Sequence, residues 1–538
     1  MSPLASRGRL PALATIVLAI AVLAPAATVA QDEPQTGGSI TVAIEGEPTS
    51  VDPAFDYDFI SGYATSSITE PLLEFCENDT ALCPGLASDW TVSDDGLTYT
   101  LTIRDGVNFH DGTPMTMEDV VFSLDRIRDP ELGSYVGWML ANVADIQADG
   151  QTLTITMSQP DALMEYALAS TAAHVVKKAF VEEHGADYGT PSVGSIGTGP
   201  FKFVEWVSGD HQTLARNDDY WDKESGGPYL DEVVIKFLPE PTTRVAGLDT
   251  GEIDYLLRDV PSDQFATVEA MENVDLTYIP SYYGEWITFN TQTPPFDNLQ
   301  VRQALNYAVD KAALRELYWP GTPATKATLV YPPLWTFEQA QWEAAYEELP
   351  AYDQDLEKAR QLLDESGVAD QLNGKTVAYY ESTPSIKGIG EHFLDVMSQL
   401  GITLEAVKVS FNEAVALQFG PHDDYDIIVG TWGSDFPDPS GNLRPNFGSE
   451  NIVAGGANAS SYSNPQVDEL LQEQNQLTDR AERTRLLIEA QALIAEDSPI
   501  IPVSNPVWPL ATNARVQGAE VGSLWYWGSL FKDIWVTE

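Results

Sequence analysis

The sequence predicts a mixed α/β protein of two or three domains, and three observations lead there. The chain has 538 residues, too many for a single hydrophobic core. Segments alternating apolar and polar residues, the mark of half-buried strands, recur through the first half. Capped segments with helical periodicity dominate the second. Hydrophobic residues make up 43% of the chain and aromatics 10%, ample for packed interiors.

Taken in order, Arg7 and Arg9 precede an apolar run from Leu10 to Val29, and Thr28-Val29-Ala30 offers small residues for a cut before Gln31. Residues 1–30 therefore read as a secretory signal peptide. The competing reading is an uncleaved anchor, since the run is long enough to span a bilayer; Pro11 and Pro25, which bound it, weigh against that. No cysteine lies near the cut, so lipid attachment is not expected. The mature chain is expected to be soluble, in a periplasmic or extracellular space.

Residues 37–44 read as an opening strand, followed by strictly alternating strands over 97–104 and over 152–157, the latter with Leu153, Ile155 and Met157 on one face. Between these two, Thr116 is placed to cap a helix with Asp119 at the reciprocal position. Farther on, one helix is expected from about Leu299 to Leu317. Leu356, Ala359, Leu362 and Leu363 form an apolar stripe ending at Gly367, and Asn464-Pro465 is a cap with a first-turn proline. Residues 425–430 look like a buried strand emptying into a Gly-, Pro- and Asp-rich loop over 431–446. Loops at the carboxyl ends of strands are where α/β sheets tend to bind ligands, so a site is expected there first.

Cys76 and Cys83 are the two cysteines. In an exported chain they point to a disulfide across a short turn, worth at most about 2–3 kcal/mol. A metal pair has no histidine nearby to complete it.

Enzyme motifs fare poorly. There is no His-Glu-x-x-His, no Gly-x-Ser-x-Gly elbow and no P-loop, so no ATPase is encoded in the chain. Gly194-Ser195-Ile196-Gly197-Thr198-Gly199 resembles a phosphate loop, but a strand-like run follows it, so a plain turn is the better reading. Asp52, Asp56 and Asp58 lack EF-hand spacing and are read as solvated acids. A secreted hydrolase using paired carboxylates stays open as a remote alternative, because 81 acids allow many pairs.

The block LASDWTVSDDGLTYTLTIRDGVNFHDGTPMTMEDVVFSLDRI, from Leu86 to Ile127, closely resembles the signature of the family 5 extracellular solute-binding proteins of ABC importers. Further blocks agree in order: GTGPFKFVEW from Gly197, NDDYW from Asn217, LDEVVIKFLPEPTTRVAGLDTGEIDY from Leu230, ITFNTQTPPFDNLQVRQALNYAVDK from Ile287 and DIIVGTWGSDFPDP from Asp426. The resemblance implies a two-lobed periplasmic-binding-protein fold (type II, cluster C-like) with an extra subdomain inserted in the first lobe. By that layout 31–80 opens lobe I, 81–194 is the inserted subdomain, 195–285 resumes lobe I, 286–505 forms lobe II and 506–538 returns to lobe I. His110 and Asp111 then hold a turn. The implied partners are a small ligand, foremost a peptide, and importer membrane subunits with a separate ATPase. No cofactor is implied, and the protein is expected to be a monomer. An oligosaccharide or other solute is the alternative ligand, and presentation to a chemosensor is an alternative to import.

In the dipeptide-binding relatives an Asp in a Trp-x-x-Asp loop pairs with the peptide amino group. Trp432-Gly433-Ser434-Asp435 matches that loop, which makes Asp435 the expected amine anchor and Trp432 a neighbour of the ligand. The position of the relatives' carboxylate-binding Arg falls near Lys387, a point charge without a bidentate fork. Tyr57, Phe59 and Tyr63, with Tyr282, Tyr283 and Trp286, are expected near the cleft, where aromatics give large contact area.

Acids outnumber bases 81 to 28, a net charge of −53. Such a surface repels nucleic acid and anionic lipid. Self-repulsion of that size is best tolerated when ions screen it, so the melting temperature should rise with added KCl. A calorimetric scan series that stays flat in salt would count against salt adaptation.

Overall fold

The computed structural model describes residues 34–76, 80–421, 425–453 and 456–537. The expected signal segment lies outside the described residues. Among those described, no helix is long and apolar enough to cross a membrane.

Three sheets carry the architecture. The first has seven strands in the order Val274–Pro280, Val507–Asn513, Tyr255–Leu257, Ser39–Ile44, Glu232–Phe237, His211–Arg216 and Phe201–Val207. The second has five, in the order Glu405–Val409, Thr376–Tyr380, Ile427–Gly433, Tyr283–Phe289 and Ile500–Ser504. The third is an antiparallel four-stranded sheet built from Ala87–Val92, Thr98–Ile103, Thr152–Met157 and Val143–Asp149.

Local sequence accounts for these elements. Tyr99, Leu101 and Ile103 are buried while their neighbours are not, and Leu153, Ile155 and Met157 pack the same way. That alternation puts one face of the four-stranded sheet on a core. Thr116 and Asp119 form the expected capping box on helix Met117–Ile127. Asn464 caps Pro465–Asn475, and Gly367, with φ +67°, closes Leu356–Ser366. The five-stranded sheet's core joins Ile287, Phe289, Ile427 and Val429 to helix residues Val301, Leu305 and Phe393.

Three expectations need correction. The single helix expected over 299–317 is two, Leu299–Ala308 and Lys311–Tyr318. Asp310 breaks it by capping the second: its carboxylate accepts from the Ala313 amide at 2.9 Å, while its own amide donates to His392 Nε2 at 3.0 Å. The loop expected over 431–446 is shorter, because the strand runs on to Gly433 and a helix, Ser440–Phe447, begins soon after. The third correction concerns the trio Asp52, Asp56 and Asp58. Asp52 and Asp56 are 1% and 3% exposed, not solvated. Asp52 caps a 3-10 turn and takes both guanidinium arms of Arg126, at 2.9 and 2.6 Å. Burial pushes the Asp56 carboxyl well up. Asp58 alone is exposed, where it caps helix Phe59–Ile68.

The glycine-rich turn 194–199 is a turn before strand Phe201–Val207, as expected. A Cβ at Gly197 would lie 2.0 Å from the Ile68 carbonyl, so the close approach of two backbones demands glycine. His110 clamps the same turn: Nε2 donates to the Gly199 carbonyl at 3.0 Å, and Nδ1 accepts from the Gly197 amide at 3.3 Å. Burial lowers the His110 pKa to about 4, so the neutral ring this pattern requires persists at neutral pH. Cys76 and Cys83 are disulfide-bonded.

Among the described residues Asp52 has one cationic partner, so Arg126→Met would strand a buried charge. The expected loss is about 3–5 kcal/mol of unfolding free energy, read from urea titrations. A loss under 1 kcal/mol would show that the fork is dispensable.

Candidate functional site

The two large sheets are joined where two stretches of chain cross side by side. Strand Val274–Pro280 belongs to the first sheet and Tyr283–Phe289 to the second; Ile500–Ser504 belongs to the second and Val507–Asn513 to the first. The crossings are tied together. Ser281 Oγ donates to the Pro506 carbonyl at 2.5 Å, and Asn505 Nδ2 donates to the Ser281 and Tyr283 carbonyls at 3.0 and 2.5 Å.

Aromatic side chains from both sheets and from the C-terminal segment meet beside this crossing. Phe59 is the hub, at the first position of the helix that Asp58 caps. Its ring centroid lies 5.5 Å from Tyr283, 5.7 Å from Trp508, 5.6 Å from Trp525 and 5.2 Å from Tyr526. Gly433, opposite Tyr283 in register, leaves room for that ring; a Cβ there would come within 2.2 Å of it. The Arg258 guanidinium sits 4.6 Å over Phe59. Arg258 holds φ at +70°, a left-handed conformation that costs a non-glycine residue about 1–3 kcal/mol and recurs at ligand clamps.

Asp435 lies in the turn after strand Ile427–Gly433, facing this cluster. Its carboxylate accepts a hydrogen bond from Tyr57 Oη at 3.0 Å, and its backbone carbonyl accepts one from Trp527 Nε1 at 2.7 Å. No ion pair reaches Asp435 among the described residues. Burial, offset in part by the Tyr57 bond, pushes its carboxyl up to about 7. The next residue, Phe436, stacks on Tyr166 at 6.0 Å and packs near Trp138 and Trp527 at 6.3 and 6.2 Å. Asp438 then pins the turn from below, taking both arms of the buried Arg483 at 2.9 Å each. The turn that presents Asp435 is thus pinned by an ion pair, while Asp435 itself meets no cation among the described residues.

An acid without a counter-charge, ringed by aromatics where two lobes meet, suits capture of a small cationic or zwitterionic solute. Comparison with known proteins bears on which. The model for bacterial extracellular solute-binding proteins, family 5 Middle, matches residues 81–453. The chain belongs to this family. It is 30% identical to heme-binding protein A of Haemophilus influenzae, over 94% of this chain and 95% of that one. It is likewise 30% identical to the glutathione-binding protein of Escherichia coli strain K12, over 91% and 92% of the two chains. Among solved structures, the periplasmic binding protein DppA of Helicobacter pylori, in complex with the peptide STSA, superposes with a TM-score of 0.78 at 25% identity, covering 94% of this chain and 99% of that one. The substrate-binding protein CtaP of Listeria monocytogenes gives 0.79 at 26% identity, covering 94% and 100%. The family 5 chain therefore has the type II periplasmic-binding fold and is a solute-binding protein of an ABC importer.

Of the residues singled out from the sequence, the structure brings Asp435, Tyr57, Phe59 and Tyr283 together. Tyr63 packs beneath them at 5.3 Å from Trp525, and its hydroxyl donates to the Leu257 carbonyl at 2.7 Å, next to Arg258. Tyr282 is buried at the crossing. Trp432 packs 5.7 Å from Phe419 and buries its Nε1 without an acceptor among the described residues. Trp286 lines a small cavity with Leu329, Phe447 and Ala459. Lys387 stands apart: on helix Pro384–Gln399, 43% exposed, it lies 3.9 Å from Glu381 and 4.0 Å from Glu391.

Arg258, Trp508 and the Trp525-Tyr526-Trp527 run escaped the sequence reading. The run was visible as a cluster, but nothing local says which ring it meets. Arg258 ends an apolar strand and carries no motif.

The raised Asp435 carboxyl makes a pH prediction. Its charged form is disfavoured in the folded state, so its contribution to stability is fully present below about pH 3.8 and is lost as pH rises to about 7. Asp435→Asn should therefore gain stability relative to the parent between pH 5 and pH 8, in urea titrations. A pH-independent difference would place the carboxyl at its ordinary value.

Proposed function

We propose that this protein captures a short peptide with a free α-amino group between its two lobes and delivers it to importer membrane subunits served by a separate ATPase. Asp435 carries the reading: a carboxylate on a pinned turn, with no cation among the described residues, awaits one from the ligand. A buried ammonium costs several kcal/mol unless a carboxylate meets it, so the pairing favours both partners. The peptide held by the Helicobacter relative and the glutathione of the Escherichia relative's name support a ligand of this class. The chain acts by binding alone, exported by its N-terminal segment.

Capture proceeds by closure about the paired crossings at 281–282 and 505–506. In the open form Tyr57 and Phe59 belong to one lobe and Asp435 to the other; ligand bridges them and shifts the population toward the closed form. The bond from Tyr57 to Asp435 joins the lobes directly. Trp432, Trp286 and Tyr283 line the side-chain space, with Tyr63 as support, and Lys387 stays outside the site with its two glutamates.

Isothermal calorimetry with trialanine tests the anchor. Asp435→Ala should weaken binding by about 2 kcal/mol or more, some thirtyfold in Kd, and N-acetylation of the peptide should weaken binding to the parent similarly. Unchanged affinity on both counts would remove Asp435 from the site.

A further inference from the structure

Phe436 leaves the five-stranded sheet on the Asp435 turn and buries its ring, 2% exposed, against three rings from distant parts of the chain. Trp138 lies in the 3-10 turn Gly137–Leu140 and Tyr166 in the short helix Met164–Ala167, on either side of a hairpin of the four-stranded sheet. Trp527 belongs to the C-terminal segment, beyond the last strand of the seven-stranded sheet. The socket is braced. Glu165, beside Tyr166, accepts from Trp90 Nε1 at 2.8 Å, which fixes the short helix to strand Ala87–Val92. Phe75 also stacks on Tyr166, at 6.0 Å, and its neighbour Cys76 is disulfide-bonded.

A second contact joins the same two parts of the molecule. The Ala162 amide donates to the Asn475 carbonyl at 3.2 Å, at the end of helix Pro465–Asn475. Arg483 links that helix end to the Asp435 turn: it donates to Gln474 Oε1 at 3.2 and 3.0 Å and to both oxygens of Asp438. Its own helix, Arg480–Asp497, is held to helix Leu299–Ala308 by Arg302, which donates to the Asp497 carbonyl at 2.9 and 2.7 Å. Phe436 and Asn475 therefore move as one unit with the five-stranded sheet. Any swing of that sheet away from the other two must draw Phe436 from its socket and break the Ala162 bond in the same motion.

We propose that Phe436, seated among Tyr166, Trp138 and Trp527, is a latch that holds the lobes closed without help from the solute. Tyr166 is its positioning residue, acting through Phe436 on the turn that carries Asp435. Ring burial and ring stacking both favour the closed form, and the braced socket has little freedom left to lose on closing. The ligand-free protein thus keeps a standing closed population, and a solute has less of the equilibrium left to shift. The latch concerns closure alone and holds whichever solute fills the cleft, so its failure and that of the peptide reading are separate results.

The test needs no solute. Double electron–electron resonance reads the distance between spin labels at Asp218→Cys and Asp364→Cys, exposed positions beside the seven- and five-stranded sheets, on the full chain stripped of carried-over solute in guanidinium and refolded. The native cysteines are paired, so labelling is specific. The parent should show two distances, the shorter one matching this structure. Phe436→Ala and Tyr166→Ala should each lower the ratio of closed to open by about tenfold, the loss of a packed ring pair. Tyr166→Phe keeps the ring and should restore the parent ratio. A parent that is wholly open overturns the latch, and so does a ratio that neither alanine variant changes. Should the two buried variants fail to fold, Trp138→Ala decides, at a position 49% exposed. A fall of about threefold supports the latch, and an unchanged ratio overturns it.

Discussion

The crossing of the two lobes by paired strands is the constraint on which the rest depends. Each stretch leaves one sheet and enters the other within two residues, at Ser281-Tyr282 and at Asn505-Pro506. Extended chain covers only about 3.3–3.6 Å per residue, so the sheet edges meet closely and residues flanking the crossing are forced into one another. Tyr283 on one side and Trp508 on the other end up 5.9 Å apart. The hydrogen bonds through Ser281 and Asn505 keep the strands in register, so a change of lobe angle is confined to a few backbone dihedrals. A ligand site beside such a joint gains and loses half its contacts with that angle, which is what capture by closure needs.

Much of the fold was legible because its signals are local. A capping box at Thr116 and Asp119, a first-turn proline at 465, and alternation over residues 98–103 each act within a few residues. The failures are non-local. Asp52 reads as one more acid in a chain with 81, and its burial depends on Arg126, 74 positions away. Asp310 interrupts a run with good helical periodicity because a cap and His392 together stabilise the break more than continuing the helix would.

The candidate site divides along the same line. Asp435 stands in a Trp-x-x-Asp turn that a sequence can display. Arg258 cannot be found that way, since its place in the cluster rests on a positive φ and a ring contributed from position 59. None of these leaves a pattern in Tyr255-Leu256-Leu257-Arg258. The count that pointed to Lys387 followed spacing alone, whereas charge placement in a folded chain follows which groups lack a counter-charge. Lys387 has two exposed glutamates beside it; Arg258 has Glu45 at 3.3 Å and the buried Asp259 within electrostatic reach.

The net charge of −53 sharpens that contrast. A field of this sign draws the amine end of a zwitterion toward the protein and repels its carboxylate. At 0.1 M salt the repulsion is screened beyond about 10 Å, so it acts mainly at the mouth of the cleft. Inside, only short-range contacts remain to hold the anionic end. For the proposed peptide ligand, an amine-first approach to Asp435 is the order this charge distribution favours. The acid that would meet it sits on a turn pinned by Asp438 and Arg483, so the amine meets a carboxylate already held in place.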